Sequence, residues 1–264
     1  MSQVDEAVLD LTVSEASLLA DVLGVAPPPG LVDPDDDVTD AASAGATVAP
    51  GLVERRILDA EGTVAAPVAE LLTVVGSPHL VARAVHEVGG RSEIRSFAVR
   101  PEMAVEQRGM ANRLVRFTPF HPKELVDRIM AFVADGHPLG GDAVDSDLVE
   151  SGGPSFECPS EIIDRVFAVA ASDRAATLID VGVDPETAAI FAAAVENLQS
   201  TNSVTVLHRP AEQEIIGVDL TWMDSGRHGL WLTEPSESEP GHRLIERLTA
   251  ADLAGKLTNF LPFG

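Results

Sequence analysis

Residues 123–133 read KELVDRIMAFV and residues 251–261 read ADLAGKLTNFL. The two stretches align without a gap: Leu125 with Leu253, Arg128 with Lys256, Ile129 with Leu257, Phe132 with Phe260. Each puts apolar residues three and four apart on one helical stripe, and each closes a block of the chain. Working back from these helices, the two blocks share their order. The first has Leu58-Asp-Ala-Glu-Gly62, an apolar helix over about 64–75 with Pro67 in its first turn, strands at 80–86 and 93–99, and short strands near 103–107 and 113–118. The second has Leu178-Ile-Asp-Val-Gly182, a helix with Asp184 as N-cap and Pro185 at its first position, strands at 203–208 and 214–220, and a turn at Asp224-Ser225-Gly226 leading into 228–233. His86 and His208 end equivalent strands, and SEASLLADVLGV (14–25) is echoed by SEIIDRVFAVAA (160–171).

Shared element order recurs among unrelated α/β units, but ungapped residue matches favour an internal duplication. The expected fold class is therefore α+β, internally duplicated and pseudo-twofold, with a central antiparallel sheet. A sheet of three or four strands per half leaves a face and an edge to cover, which joining the half-sheets and packing helices on them would do. The expected division is one domain over 1–264 with an N-terminal half (1–133), an acidic linker (134–157) and a C-terminal half (158–264). Residues 26–51, rich in Pro, Gly, Ala and Asp, read as a second linker.

The 264 residues carry 18 Lys+Arg against 42 Asp+Glu, a formal net charge of −24. That balance argues against nucleic acid as the main partner, since phosphate binding needs a basic footprint. No apolar run approaches the roughly 18 residues that span a bilayer, so membrane insertion is not expected. The N-terminus, MSQVDEAVLD, is acidic and has no basic signal region, so a cytoplasmic location is expected. The 16 arginines, 2 lysines and abundant Ala and Val fit a GC-rich genome. The charge is uneven: −11 over 1–62, +3 over 79–133 and −15 over 134–264.

Motifs for chemistry are mostly absent. There is no glycine-rich phosphate loop, no nucleophile elbow, no Tyr and no paired-histidine metal spacing among seven histidines. No catalytic residue, cofactor or metal is expected. His86 and His208 read either as a symmetric site or, more simply, as surface strand-end residues inherited from one ancestor. The single Cys158 lies in a Pro/Gly-rich stretch between Glu157 and Glu161, which would raise its thiol pKa and leave it inert. The aspartates at 33, 35–37 and 40 lack the register of a calcium loop and read as solvated.

The positive signal is the basic segment: Arg83, Arg91, Arg95, Arg100, Arg108, Arg113 and Arg116. Alternation puts Arg95, Phe97 and Val99 on one face. Such a face reads as a partner surface, or as arginines pairing with the chain's own acids on a solvated face. Trp231, mid-strand, reads as core; Trp222, beside a turn, reads as exposed and available for contact.

Several stretches together resemble a known family. The second block has L-x-x-x-G-[VI], the helix DPETAAIFAAAV, a strand V-T-V-x-x-R, a hairpin ending W-L and a closing helix finishing at Leu261-Pro262. LDLTVSEASLLADVLGV before Pro-rich sequence, and L-D-x-x-G-x-V-x-x-P-V-A-E-L-L in the first block, fit as well. This pattern is similar to the EspG family, cytosolic chaperones of the ESX (type VII) secretion systems. The resemblance implies a pseudo-symmetric fold with helical bundles flanking the sheet and a PE–PPE heterodimer as partner, kept soluble and delivered for secretion. It implies contacts from the sheet surface, the loop after the first sheet strand (here 87–93, which is short), and the C-terminal helical part. The candidate contact residues are Arg91, Arg95, Phe97, Ile215, Asp219 and Trp222. Two other readings stay open: a hydrolase-like enzyme with a His/Asp site (His86, His208, Asp219) between the halves, and a structural protein that self-associates through an exposed sheet edge.

Overall fold

A computed structural model describes residues 8–28, 41–134, 139, 153–208 and 216–261. Strand β1 (Leu9–Thr12) runs into helices α1 (Val13–Leu23), α2 (Ala41–Glu54) and α3 (Ala66–Gly76). Strands β2 (Leu80–Val88), β3 (Arg91–Val99), β4 (Ala104–Met110) and β5 (Leu114–Phe120) follow, then α4 (Leu125–Ala134). The second half repeats that order: β6 (Ser155–Pro159), α5 (Ser160–Ala168), α6 (Ala171–Ile179) and α7 (Pro185–Glu196), then β7 (Ser200–His208), β8 (Ile216–Asp224), β9 (Leu230–Pro235), β10 (His242–Leu248) and α8 (Ala250–Phe260). The strands form one sheet in the order β1-β5-β4-β3-β2-β7-β8-β9-β10-β6. The pairings β1–β5, β5–β4, β4–β3, β8–β9, β9–β10 and β10–β6 are antiparallel. The class is α+β, as the sequence suggests.

Local chemistry explains where the helices begin. Thr12 and Glu15 form a reciprocal capping box at α1, and Thr249 and Asp252 do the same at α8. Asp184 accepts from the Thr187 N–H at 3.0 Å, with Pro185 opening α7, as its sequence predicts. Gly24 ends α1 in the left-handed region that only glycine enters freely. In β2 and β7 buried residues alternate with exposed or half-buried ones, the mark of strands with one face covered.

The chain divides into two compact units: Met1–Arg83, Ile94–Leu125 and Val206–Gly217 in the first, Ala84–Glu93, Val126–Thr205 and Val218–Gly264 in the second. The first core packs Leu19 of α1, Leu52 of α2 and Leu71, Leu72 and Val75 of α3 against Leu11, Ala98, Val105, Val115 and Phe117 of the sheet. The second packs Ile162, Val166, Leu178 and Phe191 of α5–α7 against Phe156, Cys158, Met223, Trp231 and Ile245. There Phe191 sits edge-on between Phe156 and Trp231, with ring centroids 5.2 and 5.0 Å away.

Several elements differ from the sequence expectation. Residues 41–51, read as linker, belong to α2, an Ala/Gly-rich helix whose small residues leave no stripe to detect. Strands β1, β6 and β10 go unseen in the sequence, as does α6. Residues 155–157 of the expected acidic linker are the start of β6. Cys158 is therefore a buried strand residue, and burial, not its acidic neighbours, pushes its thiol up to about 11. The aspartate cluster at 33–40 lies outside the described residues. Among the described residues no helix is long and apolar enough to cross a membrane.

Candidate partner-binding surface

Strand register turns the basic segment into a geometric object. Arg95 on β3 stands opposite Arg108 on β4, Arg108 opposite Arg116 on β5, and Arg116 opposite Asp10 on β1. Opposed residues share a face, so three arginines and an aspartate form one row across four strands. The next row on that face holds Phe97, Glu106 and Thr118. The expectation that Arg95 and Phe97 share a face is met.

Like charges placed opposite one another are unfavourable, and two carboxylates hold this row together. Asp10 takes Arg116 in a two-pronged grip, Oδ1 to Nε at 2.9 Å and Oδ2 to Nη2 at 2.8 Å. The Arg116 hydrogen bond is the main reason that the Asp10 carboxyl stays below the usual carboxylate range. Glu106 Oε1 accepts from Arg95 Nη1 at 2.9 Å. Arg100 is engaged differently, donating from Nε to the Ser77 carbonyl at 2.8 Å. Of the two readings of the basic run, pairing with the chain's own acids accounts for Arg95 and Arg116. The row remains half-exposed, so it is also a surface.

The six candidate contact residues separate. Arg91 is exposed at the start of β3, directly after a turn at Gly89 and Gly90. Both glycines have positive φ (56° and 76°), the pair of values that a two-residue hairpin turn of type I′ demands. The expected loop at 87–93 is thus only those two glycines, with strand on either side. Asp219 is exposed on β8, and Arg95 is half-buried in its bridge to Glu106. Ile215 lies outside the described residues. Phe97 is wholly buried, edge-on to Phe120 with centroids 6.1 Å apart.

Trp222 corrects the sequence reading outright: it has no exposed surface. Trp222 pairs with Leu232, and Leu232 with Glu246, which puts all three on one face of β8–β10. Glu234 shares that face, and α8 is anchored on it. Lys256 of α8 donates to Glu234 Oε2 at 2.7 Å and to Glu246 Oε2 at 2.9 Å, while Leu253 and Leu257 are fully buried. Trp231 lies on the other face, its Nε1 donating to the His228 carbonyl at 3.1 Å, and is core as expected.

His86 is also not the surface residue that its position suggested. It is buried within β2, with Nδ1 2.7 Å from Asn202 Oδ1 and its ring edge-on to Phe132. Asn202 Nδ2 donates in turn to Ser200 Oγ at 3.0 Å, so Asn202 Oδ1 is left to accept and His86 Nδ1 to donate. His208 is six residues beyond Asn202 along β7, a rise of about 20 Å. His86 therefore has an amide for its partner. Among the described residues no three His, Cys, Asp or Glu side chains are placed to hold a metal ion.

Exposed apolar side chains, which carry no sequence signal beyond their identity, are scattered over many elements, among them Val22 of α1, Val53 of α2, Met110 of β4, Leu207 of β7 and Val218 of β8. Val88 and Ile94 flank the Gly89–Gly90 turn, and Phe167, Ile179, Val181 and Leu198 lie on the α5–α7 part of the second unit.

The EspG family matches this chain over residues 12–258. Among curated protein sequences none matches. Among solved structures the fold is similar to that of the Mycobacterium tuberculosis type VII secretion system chaperone EspG5, determined in complex with a PE25–PPE41 dimer, with a TM-score of 0.64. The two chains are 15% identical, and the likeness covers 98% of each. At that identity the structural likeness speaks for the fold alone. The family match, in contrast, runs from the N-cap of α1 into α8 and takes in nearly every element described above, so this chain belongs to the EspG family.

Proposed function

We propose that this chain is a non-enzymatic cytosolic chaperone that binds a PE–PPE heterodimer, keeps it soluble and delivers it to a type VII secretion system. The observation that carries this reading is the EspG match over residues 12–258. The fold shared with EspG5, which was solved with a PE–PPE dimer bound, supports it. So does the surface: a chain that carries both a half-exposed charged row and exposed apolar side chains suits a partner whose helix ends would otherwise aggregate. The net charge of −24 keeps a protein with such a surface soluble. Arg91 and Asp219, both exposed, are the proposed direct contacts, with Arg95 at the edge of its row and Ile215 beside them in sequence. Phe97 and Trp222 act from below, by holding the strands that present those residues.

The proposal includes an internal duplication, with halves at 1–133 and 158–264 joined by 134–157. Its support is the repeated order of one strand, three helices, four strands and one helix, with β1 pairing β5 as β6 pairs β10. Gly62 and Gly182, matched in sequence, both have positive φ (82° and 93°) in the turn before a helix, a shared need for glycine. Co-expression with each PE–PPE pair of the same genome tests the function. A stable 1:1:1 complex is expected with a cognate pair, and failure of every pair to co-purify would refute it.

A further inference from the structure

An outermost strand leaves the N–H and C=O of every second residue pointing away from its sheet, where another strand can pair with them. Among the described residues strand β1 is outermost, with β5 on its one paired side. Two of its outward groups are already occupied by side chains. The Thr12 N–H donates to Glu15 Oε2 at 2.7 Å, and the Asp10 C=O accepts from Arg55 Nη2 at 2.5 Å. Arg55 Nη1 then donates to Glu15 Oε1 at 2.9 Å, closing a continuous chain from one backbone group to the other. The carboxylate stands where a neighbouring strand's C=O would be, and the guanidinium where its N–H would be. Glu15 comes from the first turn of α1 and Arg55 follows the end of α2, 40 residues later. The pair is therefore made only when both helices are docked.

We propose that Glu15 and Arg55 are an edge guard: they imitate the missing neighbour of β1 and prevent a second copy of this chain from pairing there. The occupant is a second copy because the strand is self-complementary. In a twofold antiparallel pairing centred on Leu11, Asp10 of each copy falls opposite Thr12 of the other, and Leu11 meets Leu11. The two outward residues thus bond each other without setting aspartate against aspartate. Such pairing is short, since the Thr12 C=O already receives the first bond of α1, and one Arg–Glu pair is enough to compete with it. The guard does not rest on the chaperone reading, because it concerns the free chain.

The test is sedimentation velocity of the full-length chain over a hundredfold range of concentration, alongside amide hydrogen exchange at Thr12. Wild type is expected to stay monomeric. Arg55→Ala, and Glu15→Ala as a second variant should the first fail to fold, are expected to lose protection at Thr12 and to dimerise as concentration rises. Thr12 has φ −70°, which proline adopts without strain, so Arg55→Ala/Thr12→Pro removes the outward N–H, and Arg55→Ala/Thr12→Ala, which loses the capping hydroxyl but keeps the N–H, is its control. The proline double variant is expected to return to monomer, and the alanine control to dimerise. Variants that lose Thr12 protection yet stay monomeric would overturn the proposal, because the pair would then be only a local cap. Dimerisation that survives Thr12→Pro would overturn it too, since another surface would be responsible.

Discussion

Lys256 is the most informative residue to remove. Its ammonium touches two carboxylates at 2.7 and 2.9 Å, and all three side chains are about one-third exposed. Each contact is worth about 6 kcal/mol in gross Coulomb terms at an effective dielectric near 20. Desolvation and lost rotamer freedom cancel most of that, leaving about 1 kcal/mol for the pair of contacts. Replacing Lys256 by Met keeps the stem that packs along the sheet but leaves two carboxylates no more than about 6 Å apart, a repulsion of order 1 kcal/mol. The expected total for Lys256→Met is therefore about 2 kcal/mol, or roughly 4–8 °C in Tm for a chain of this size.

The assay is thermal and denaturant unfolding read by fluorescence, which comes from Trp222 and Trp231 alone because the chain has no tyrosine. Trp222 lies on the face that α8 covers, so loosening of that helix is expected to shift its emission. Glu246→Gln in the Lys256→Met background is expected to recover about half of the loss, because it removes the repulsion. There is a pH signature as well. Burial works against the charged amine, but the Glu234 and Glu246 hydrogen bonds outweigh it and raise the Lys256 pKa. A raised cationic pKa stabilises the fold fully below the unfolded value, about 10.4, and that stability is lost as pH rises through the folded value. Lys256→Met is thus expected to flatten the alkaline limb of the stability profile. A variant within about 0.5 kcal/mol of wild type, with no coupling to Glu246, would refute the reasoning.

Cys158, with its thiol near 11, is expected to resist thiol reagents at neutral pH in the folded chain and to react as one equivalent once denatured; rapid labelling of the native protein would contradict its burial. Trp222→Ala is expected to cost about 3–5 kcal/mol by leaving a cavity, so any loss of partner binding should track loss of folded protein by circular dichroism. Arg91→Glu is expected to do the reverse, keeping Tm and weakening the proposed complex with a PE–PPE pair, which calorimetry would report. Asp252, whose carboxyl is held below its ordinary value mainly by the Thr249 hydroxyl, adds stability above the unfolded carboxylate pKa of about 3.9, lost as pH falls through the folded value. Asp252→Ala should therefore flatten the acid limb in urea titrations.

Legibility in the sequence followed the length of each pattern. The closing helices, α7 and the long strands β2 and β7 carry two or more full periods of apolar spacing, and all stand where their residues place them. Strands β1 and β6 are four and five residues long, too short for alternation to separate them from loop. In β10, HRLIERL, charged residues surround the single buried pair Ile245 and Leu248, and the strand signal drowns. Trp222 was misjudged because nearness to a turn in sequence was equated with exposure. Its burial depends on which face of β8 receives α8, and only the docked helix decides that. The arginine row was invisible for a related reason: composition reveals seven arginines, but which of them stand opposite one another depends on hairpin offsets that no single strand encodes.

The acidic excess has a finer structure than its sum. Asp10, Glu15, Glu106, Glu234 and Glu246 each hold an arginine or lysine of the same chain, so Arg55, Arg95, Arg116 and Lys256 already have carboxylates at hand. A partner that engages the arginine row must therefore exchange one ion pair for another, and the net gain from such an exchange is small. Charge at this surface accordingly selects among partners and orients them, while affinity must come from apolar contacts. Arg91 and Asp219, both exposed and of opposite sign, fit a selecting role better than an anchoring one. That division of labour suits the proposed role, in which one partner is recognised and later released.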